Sequence, residues 1–189
     1  MILTGSEITA AQEDGRVRID PFALEQVNPN SYNIRLGDHL ITYTGEVLDP
    51  RRENPTEPRK IPAKGIVLQP GQLYLGHTAE RVGSDFYVPL LFGRSSVGRL
   101  GLFVEITAPI GDIGFHGQWT LQLVPVQPLR VYAWMSIGQI MFFTTVGEVI
   151  GYCGKYQGSA GPRSSASWRD ALPALESTPA ALDCAGRAS

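Results

Sequence analysis

Ten consecutive residues of this chain, Gly93-Arg94-Ser95-Ser96-Val97-Gly98-Arg99-Leu100-Gly101-Leu102, concentrate groups suited to holding an anion. Arginine supplies forked donors, serine supplies hydroxyls, and glycine lets backbone N–H groups come close to phosphate oxygens. A solvated polar turn has the same composition, so the stretch alone leaves both readings open. Two further polar segments stand out. Residues 107–117 form a glycine-rich hairpin with one carboxylate, Asp112, and residues 154–159 form a basic segment around Lys155. Taken singly, Asp112 is a turn-capping residue and Lys155 a solvated cation.

These segments interrupt a chain that patterns as β-structure. Apolar runs at 86–92, 102–106, 119–125, 129–132 and 137–145 are punctuated by glycine and proline every 8–15 residues. That is the rhythm of an all-β sandwich or barrel. Earlier strands are expected at 17–19, 34–36, 39–44, 65–68 and 73–78. Residues 6–15 predict one short helix capped by Ser6. Residues 49–64, with four prolines among mostly charged side chains, predict a surface loop. The expected organisation is one mainly β domain with minor helices over 1–168, followed by a disordered Ala/Pro/Ser-rich tail over 169–189.

With 189 residues and 43% apolar content the chain can bury a real core. A formal net charge of −2 provides no field that would draw the surface onto nucleic acid or membrane. No apolar run has the length of a membrane span, and the first residues lack the pattern of a signal peptide, so a cytoplasmic location is expected. Cys153 and Cys184 form no disulfide framework, and His39, His77 and His116 are scattered in sequence, so zinc is not expected.

Taken together and in order, these segments resemble the dCTP deaminase and trimeric dUTPase superfamily. The match covers residues 1–168. It rests on Gly93–Leu102, met residue for residue, and on Pro29-Asn30-Ser31-Tyr32-Asn33-Ile34-Arg35-Leu36. Further matches are Gln69-Pro70-Gly71 with Leu75-Gly76, Thr107-Ala108, Gly111-Asp112 with Gly114-Phe115 and Gly117, Ile137-Gly138-Gln139, and Lys155-Tyr156-Gln157. The resemblance implies a distorted β-barrel or jelly roll that assembles as a homotrimer, with sites between subunits and a C-terminal segment closing over a nucleoside triphosphate. It implies Mg²⁺ carried on the triphosphate, with no direct protein ligand, and no zinc. Arg94, Ser95 and Ser96 would hold the triphosphate, and Arg99 would reach toward the base. Ala108 would offer its carbonyl oxygen. Asp112 would bind the 3′-hydroxyl or orient a water, Lys155 would contact phosphate, and Thr107, Tyr152 and Ser159 would complete the substrate contacts.

One departure bears directly on the reaction. Hydrolytic deamination needs a group that takes a proton from water and passes it to the ring nitrogen. The family supplies it as the glutamate of a Thr-Leu-Glu triplet; this chain has Thr120-Leu121-Gln122. A carboxamide cannot accept that proton at useful pH. Counting alternation back from Thr107 puts the nearby Glu105 on the face opposite Ala108, as a carboxylate outside the pocket. Pro109-Ile110, Pro125, Ala133-Trp134 and Ser159 also depart from the family pattern. The expected function is a dCTP deaminase-like hydrolase, with Gln122, Arg99, Asp112, Ala108 and Ser95 at its catalytic centre and Gln122 weakening or altering the reaction. The alternatives are a Mg²⁺-dependent nucleoside triphosphate diphosphatase, a relative retuned to another nucleotide, and a nucleotide-binding regulator without turnover.

Overall fold

A computed structural model describes residues 1–170. Helix α1 (Gly5–Glu13) buries Ile8 and Ala11 on one face, and its cap is Thr4, not Ser6: the Thr4 hydroxyl accepts the Glu7 N–H at 3.4 Å. The strands are β1 (Arg18–Asp20), β2 (Val27–Asn28), β3 (Ser31–Arg35), β4 (His39–Tyr43), β5 (Thr56–Lys60) and β6 (Ile66–Leu68). They continue with β7 (Tyr74–Gly83), β8 (Val88–Gly93), β9 (Leu102–Val104), β10 (His116–Pro125), β11 (Leu129–Val131) and β12 (Ser136–Phe143). A single helical turn, α2 (Ser95–Gly98), separates β8 from β9. The mainly β class expected from the sequence holds, and no helix among the described residues is long and apolar enough to cross a membrane.

All strand pairs are antiparallel. The larger sheet runs β5-β4-β7-β10-β9, with β1 also on β7, and the second runs β2-β3-β12-β8; β11 and β6 form a separate pair. Leu40, Val82, Leu121 and Leu123 of the larger sheet share one apolar cluster with Tyr32, Ile34, Leu91, Ile140 and Phe142 of the second. Burying these side chains between two sheets is the main stabilising contribution, at about 1.5–3 kcal/mol each.

Two expectations change here. Residues 56–60 are not loop: β5 pairs with β4 from His39↔Lys60 to Tyr43↔Thr56. It is an edge strand with almost no buried face, so it lacks the apolar alternation that marks a strand in sequence, and its charges and Pro58 suit an unpaired edge. The run at 102–106 is also shorter than expected. Strand β9 ends at Val104, and Glu105 turns out of it with φ at 54°, in the left-handed region.

Beyond β12 the chain returns along β10 as an ordered strap. Its backbone pairs Tyr152 N–H with Ile113 O, Gly158 N–H with His116 O, and Gln118 N–H with Ser159 O. It finishes in a short 3₁₀ turn, Ser167–Arg169. The tail expected after residue 168 therefore falls outside the described residues from position 171 onward.

Candidate active site

Strand β10 supplies the floor of the site. Its alternation is strict: Trp119, Leu121 and Leu123 point into the core, while Gln118, Thr120 and Gln122 face the other way. That second face is covered by the strap, and the polar side chains on it do the fastening. Gln118 Oε1 accepts the Gly161 N–H at 2.7 Å, and Thr120 Oγ1 accepts the Arg163 N–H at 3.0 Å. On β4, Tyr43 Oη accepts the Ser165 N–H at 2.8 Å. Gln157 clamps the hairpin, accepting the His116 N–H at 2.9 Å and donating to Gly114 O at 2.6 Å. Such close packing needs glycine at two hairpin positions. Gly114 has φ at 89°, and a Cβ on Gly117 would lie 2.9 Å from the Ser159 nitrogen.

Between β10, the hairpin and the strap lies a cavity of about 530 Å³. Five of the expected site residues line it: Ala108, Asp112, Gln122, Tyr152 and Ser159. Asp112 is exposed at the hairpin, and Ser159 is buried with its hydroxyl donating to Tyr156 O at 2.6 Å. The aromatic wall is built edge to face, Phe115 against Trp119 at 5.8 Å and against Tyr152 at 5.9 Å between ring centres.

The other expected site residues are not in this cavity. Arg94, Ser95, Ser96 and Arg99 sit on and around α2, where the two serines and Arg99 are exposed, and Thr107 is exposed on its loop; none of these lines the cavity. Lys155 faces a smaller adjoining cavity of about 230 Å³, where its ammonium pairs with Asp170 and lies 5.7 Å from the centre of the Tyr156 ring. The histidines are less scattered than their sequence positions suggest. The nearest ligand atoms of Asp38, His39 and His77 lie within 4.8 Å of one another, although none of the three lines the cavity.

One cavity residue overturns its sequence-based placement. Glu105 lines the same cavity as Ala108 and Gln122, and its Oε1 accepts the Gln122 backbone N–H at 3.0 Å. The alternation count assumed a strand through residue 107, whereas the left-handed turn at Glu105 ends the strand and breaks the period. Burial pushes the Glu105 carboxyl up to about 7, opposed in part by the hydrogen bond from Gln122. No local sequence signal announced this, because the register that sets Val104 opposite Leu123, next to Gln122, is fixed by the fold. Tyr43, Trp119 and Arg163 were also missed as lining residues: Tyr43 and Trp119 lie in strands the sequence does announce, but the strap that carries Arg163 back over them has no local motif.

A family model described as dCTP deaminase-like matches residues 2–145. The chain belongs to the dCTP deaminase-like family. Within that family it is 47% identical over 171 residues to the "dCTP deaminase, dUMP-forming" of Hathewaya histolytica, covering 90% of this chain and 99% of the relative. It is 46% identical to the protein of the same description from Leptospira biflexa serovar Patoc, over 90% of this chain and 98% of that one. The crystal structure of 2'-deoxycytidine 5'-triphosphate deaminase from Agrobacterium tumefaciens shares the fold, with a TM-score of 0.61 at 20% identity. That match spans 76% of this chain and 48% of the Agrobacterium chain.

Proposed function

We propose that this protein is a dCTP deaminase that also cleaves its nucleotide to the monophosphate. The net reaction converts dCTP and two waters to dUMP, ammonia and pyrophosphate. One observation carries the reading: Ala108, Asp112 and Gln122 meet in a single cavity, in a chain nearly half identical over the full length of relatives described as dUMP-forming dCTP deaminases. The cavity matches a nucleoside in size and character, with an aromatic wall, a few polar groups and a strap along one side.

The triphosphate is held by a second copy of the chain. Arg94, Ser95, Ser96 and Arg99 carry the anion-binding groups yet stand outside their own chain's cavity, so a site that uses them is completed between subunits. The exposed apolar side chains of Leu100, Phe103, Ile106 and Ile110 next to this turn support burial against another copy, and the family resemblance supports a homotrimer. In that assembly Arg94 forks onto phosphate oxygens, and the Ser95 and Ser96 hydroxyls donate to them. Arg99 reaches the reacting region from the same turn. On the nucleoside side, the Ala108 carbonyl accepts a hydrogen bond from the base or the attacking water. Asp112 accepts from the 3′-hydroxyl or orients the water that attacks phosphorus. Thr107, Tyr152 and Ser159 border the nucleotide, and Lys155 exchanges Asp170 for phosphate when the nucleotide enters.

Mg²⁺ fits this site as a passenger on the triphosphate. It is a hard cation that retains water and takes few protein ligands. The cavity offers it the exposed Asp112 carboxylate, while the one gathering of three His/Cys/Asp/Glu ligands among the described residues, at Asp38, lies elsewhere. When bound, Mg²⁺ would neutralise charge on the phosphate oxygens. Gln122 specifically favours a second reading, in which the chain cleaves pyrophosphate from a nucleoside triphosphate without deaminating it.

Incubation of the purified protein with dCTP and Mg²⁺, followed by chromatographic separation, tests both readings. The expected products are dUMP and pyrophosphate with stoichiometric ammonia. Formation of dCMP and pyrophosphate without ammonia would establish the second reading, and unchanged dCTP would defeat both.

A further inference from the structure

We infer that Glu105 is the proton-transferring carboxylate of the deamination, acting from the turn that follows β9, beside Gln122. The inference rests on the deaminase reading above and concerns which side chain of this chain performs that step.

Strand β9 pairs with β10 through Leu123↔Val104, and the next residue, Glu105, leaves the ladder at its left-handed turn. Glu105 and Gln122 nevertheless line the same cavity, so a carboxylate at either position serves one site. The hydrogen bond from Gln122 N–H to Glu105 Oε1, at 3.0 Å, fixes this placement. Among the described residues Oε2 has no hydrogen-bond partner, and the side chain lines the cavity. The left-handed φ of 54° is a backbone conformation that the intrinsic preference of a non-glycine residue disfavours.

The surroundings suit proton transfer. Asp112, Arg163, Tyr43, Tyr152 and Tyr156 are the other charged or titratable groups lining the cavity. Burial keeps the Glu105 carboxyl near neutrality, at about 7, so it can both take and return a proton under physiological conditions. The step balances as follows. Ionised Glu105 takes one proton from water as the hydroxide oxygen bonds to C4 of cytosine, and delivers that proton to N3. It then takes the second proton from the C4 hydroxyl and delivers it to the amino nitrogen. The C4–N4 bond breaks, ammonia leaves, C4 becomes a carbonyl, and Glu105 returns to its carboxylate. Gln122, which cannot accept a proton, remains as a hydrogen-bonding neighbour.

The test measures ammonia and uracil-nucleotide formation from dCTP by the parent, Glu105→Gln, and Glu105→Gln/Gln122→Glu proteins. Glu105→Gln keeps an acceptor for the Gln122 N–H and is expected to lose about 10²–10⁴-fold in kcat. The double variant, which moves the carboxylate to position 122 of the same cavity, is expected to regain at least tenfold of that loss. Two readouts do not depend on Glu105→Gln folding. The parent kcat/KM should rise with pH and level off above about pH 7, and added formate should restore turnover to Glu105→Ala. A Glu105→Gln protein within tenfold of the parent overturns the inference while leaving the deaminase reading intact. A pH-independent parent kcat/KM across pH 5–8 also overturns it. Absence of deamination by the parent itself removes the deaminase reading and this inference with it.

Discussion

Replacing Glu105 with glutamine should change how the stability of the nucleotide-free protein depends on pH, independently of any catalytic role. In the folded chain burial holds this carboxyl at about 7, against an ordinary value of 4.5. Between those two values the folded protein keeps a proton that the unfolded chain has released. The stabilising contribution of the group is thus complete below pH 4.5 and is lost as pH rises to about 7. Each pKa unit corresponds to about 1.4 kcal/mol, which sets the loss at about 2–3 kcal/mol once solvent at the cavity mouth is allowed for. Glutamine has nearly the same shape, still accepts the Gln122 N–H and does not titrate. The unfolding free energy of the variant relative to the parent should therefore rise by about 2–3 kcal/mol between pH 4.5 and pH 8. Urea denaturation of both proteins at four pH values, at one protein concentration, measures this. The difference between the two curves cancels other titrating groups, because they are common to both. A difference that stays flat within about 0.5 kcal/mol would refute the claim that this carboxyl is desolvated.

Other parts of the structure carry equally specific expectations. Glu80 is fully buried and accepts both the Arg35 backbone N–H at 2.9 Å and the Arg35 Nε–H at 2.6 Å. Glu80→Ala strands that guanidinium and should cost about 3–5 kcal/mol in chemical denaturation, against less than about 1 kcal/mol for an exposed pair such as Arg59–Glu57. Gly117→Ala pushes a methyl group against the Ser159 backbone and should loosen the strap. Faster tryptic cleavage at Lys155 and Arg163, with a raised KM for the nucleotide, is the expected outcome. Arg94→Ala should raise the KM for a triphosphate at least tenfold while leaving the melting temperature within a few degrees. Sedimentation of the parent should give three times the 20.6 kDa chain mass, and a monomer would separate the Arg94 turn from the cavity.

The sequence by itself determined the family and the β class. These follow from local chemistry: a run of donors and glycines at fixed spacing, and apolar runs punctuated by glycine and proline. It also showed that position 122 lacks the expected carboxylate. Tertiary structure decided the rest. Alternation assigns faces only while a strand lasts, and the left-handed residue that ends β9 carries no glycine or asparagine to announce it, so Glu105 was placed on the wrong face. Edge strand β5 went unseen because a strand without a buried face has no apolar signature. The strap's course, and the separation of Arg94, Ser95 and Ser96 from their own chain's cavity, depend on contacts between residues far apart in sequence. Gln122 and Glu105 are seventeen positions apart along the chain, yet the fold brings the Glu105 carboxyl onto the Gln122 backbone N–H at 3.0 Å.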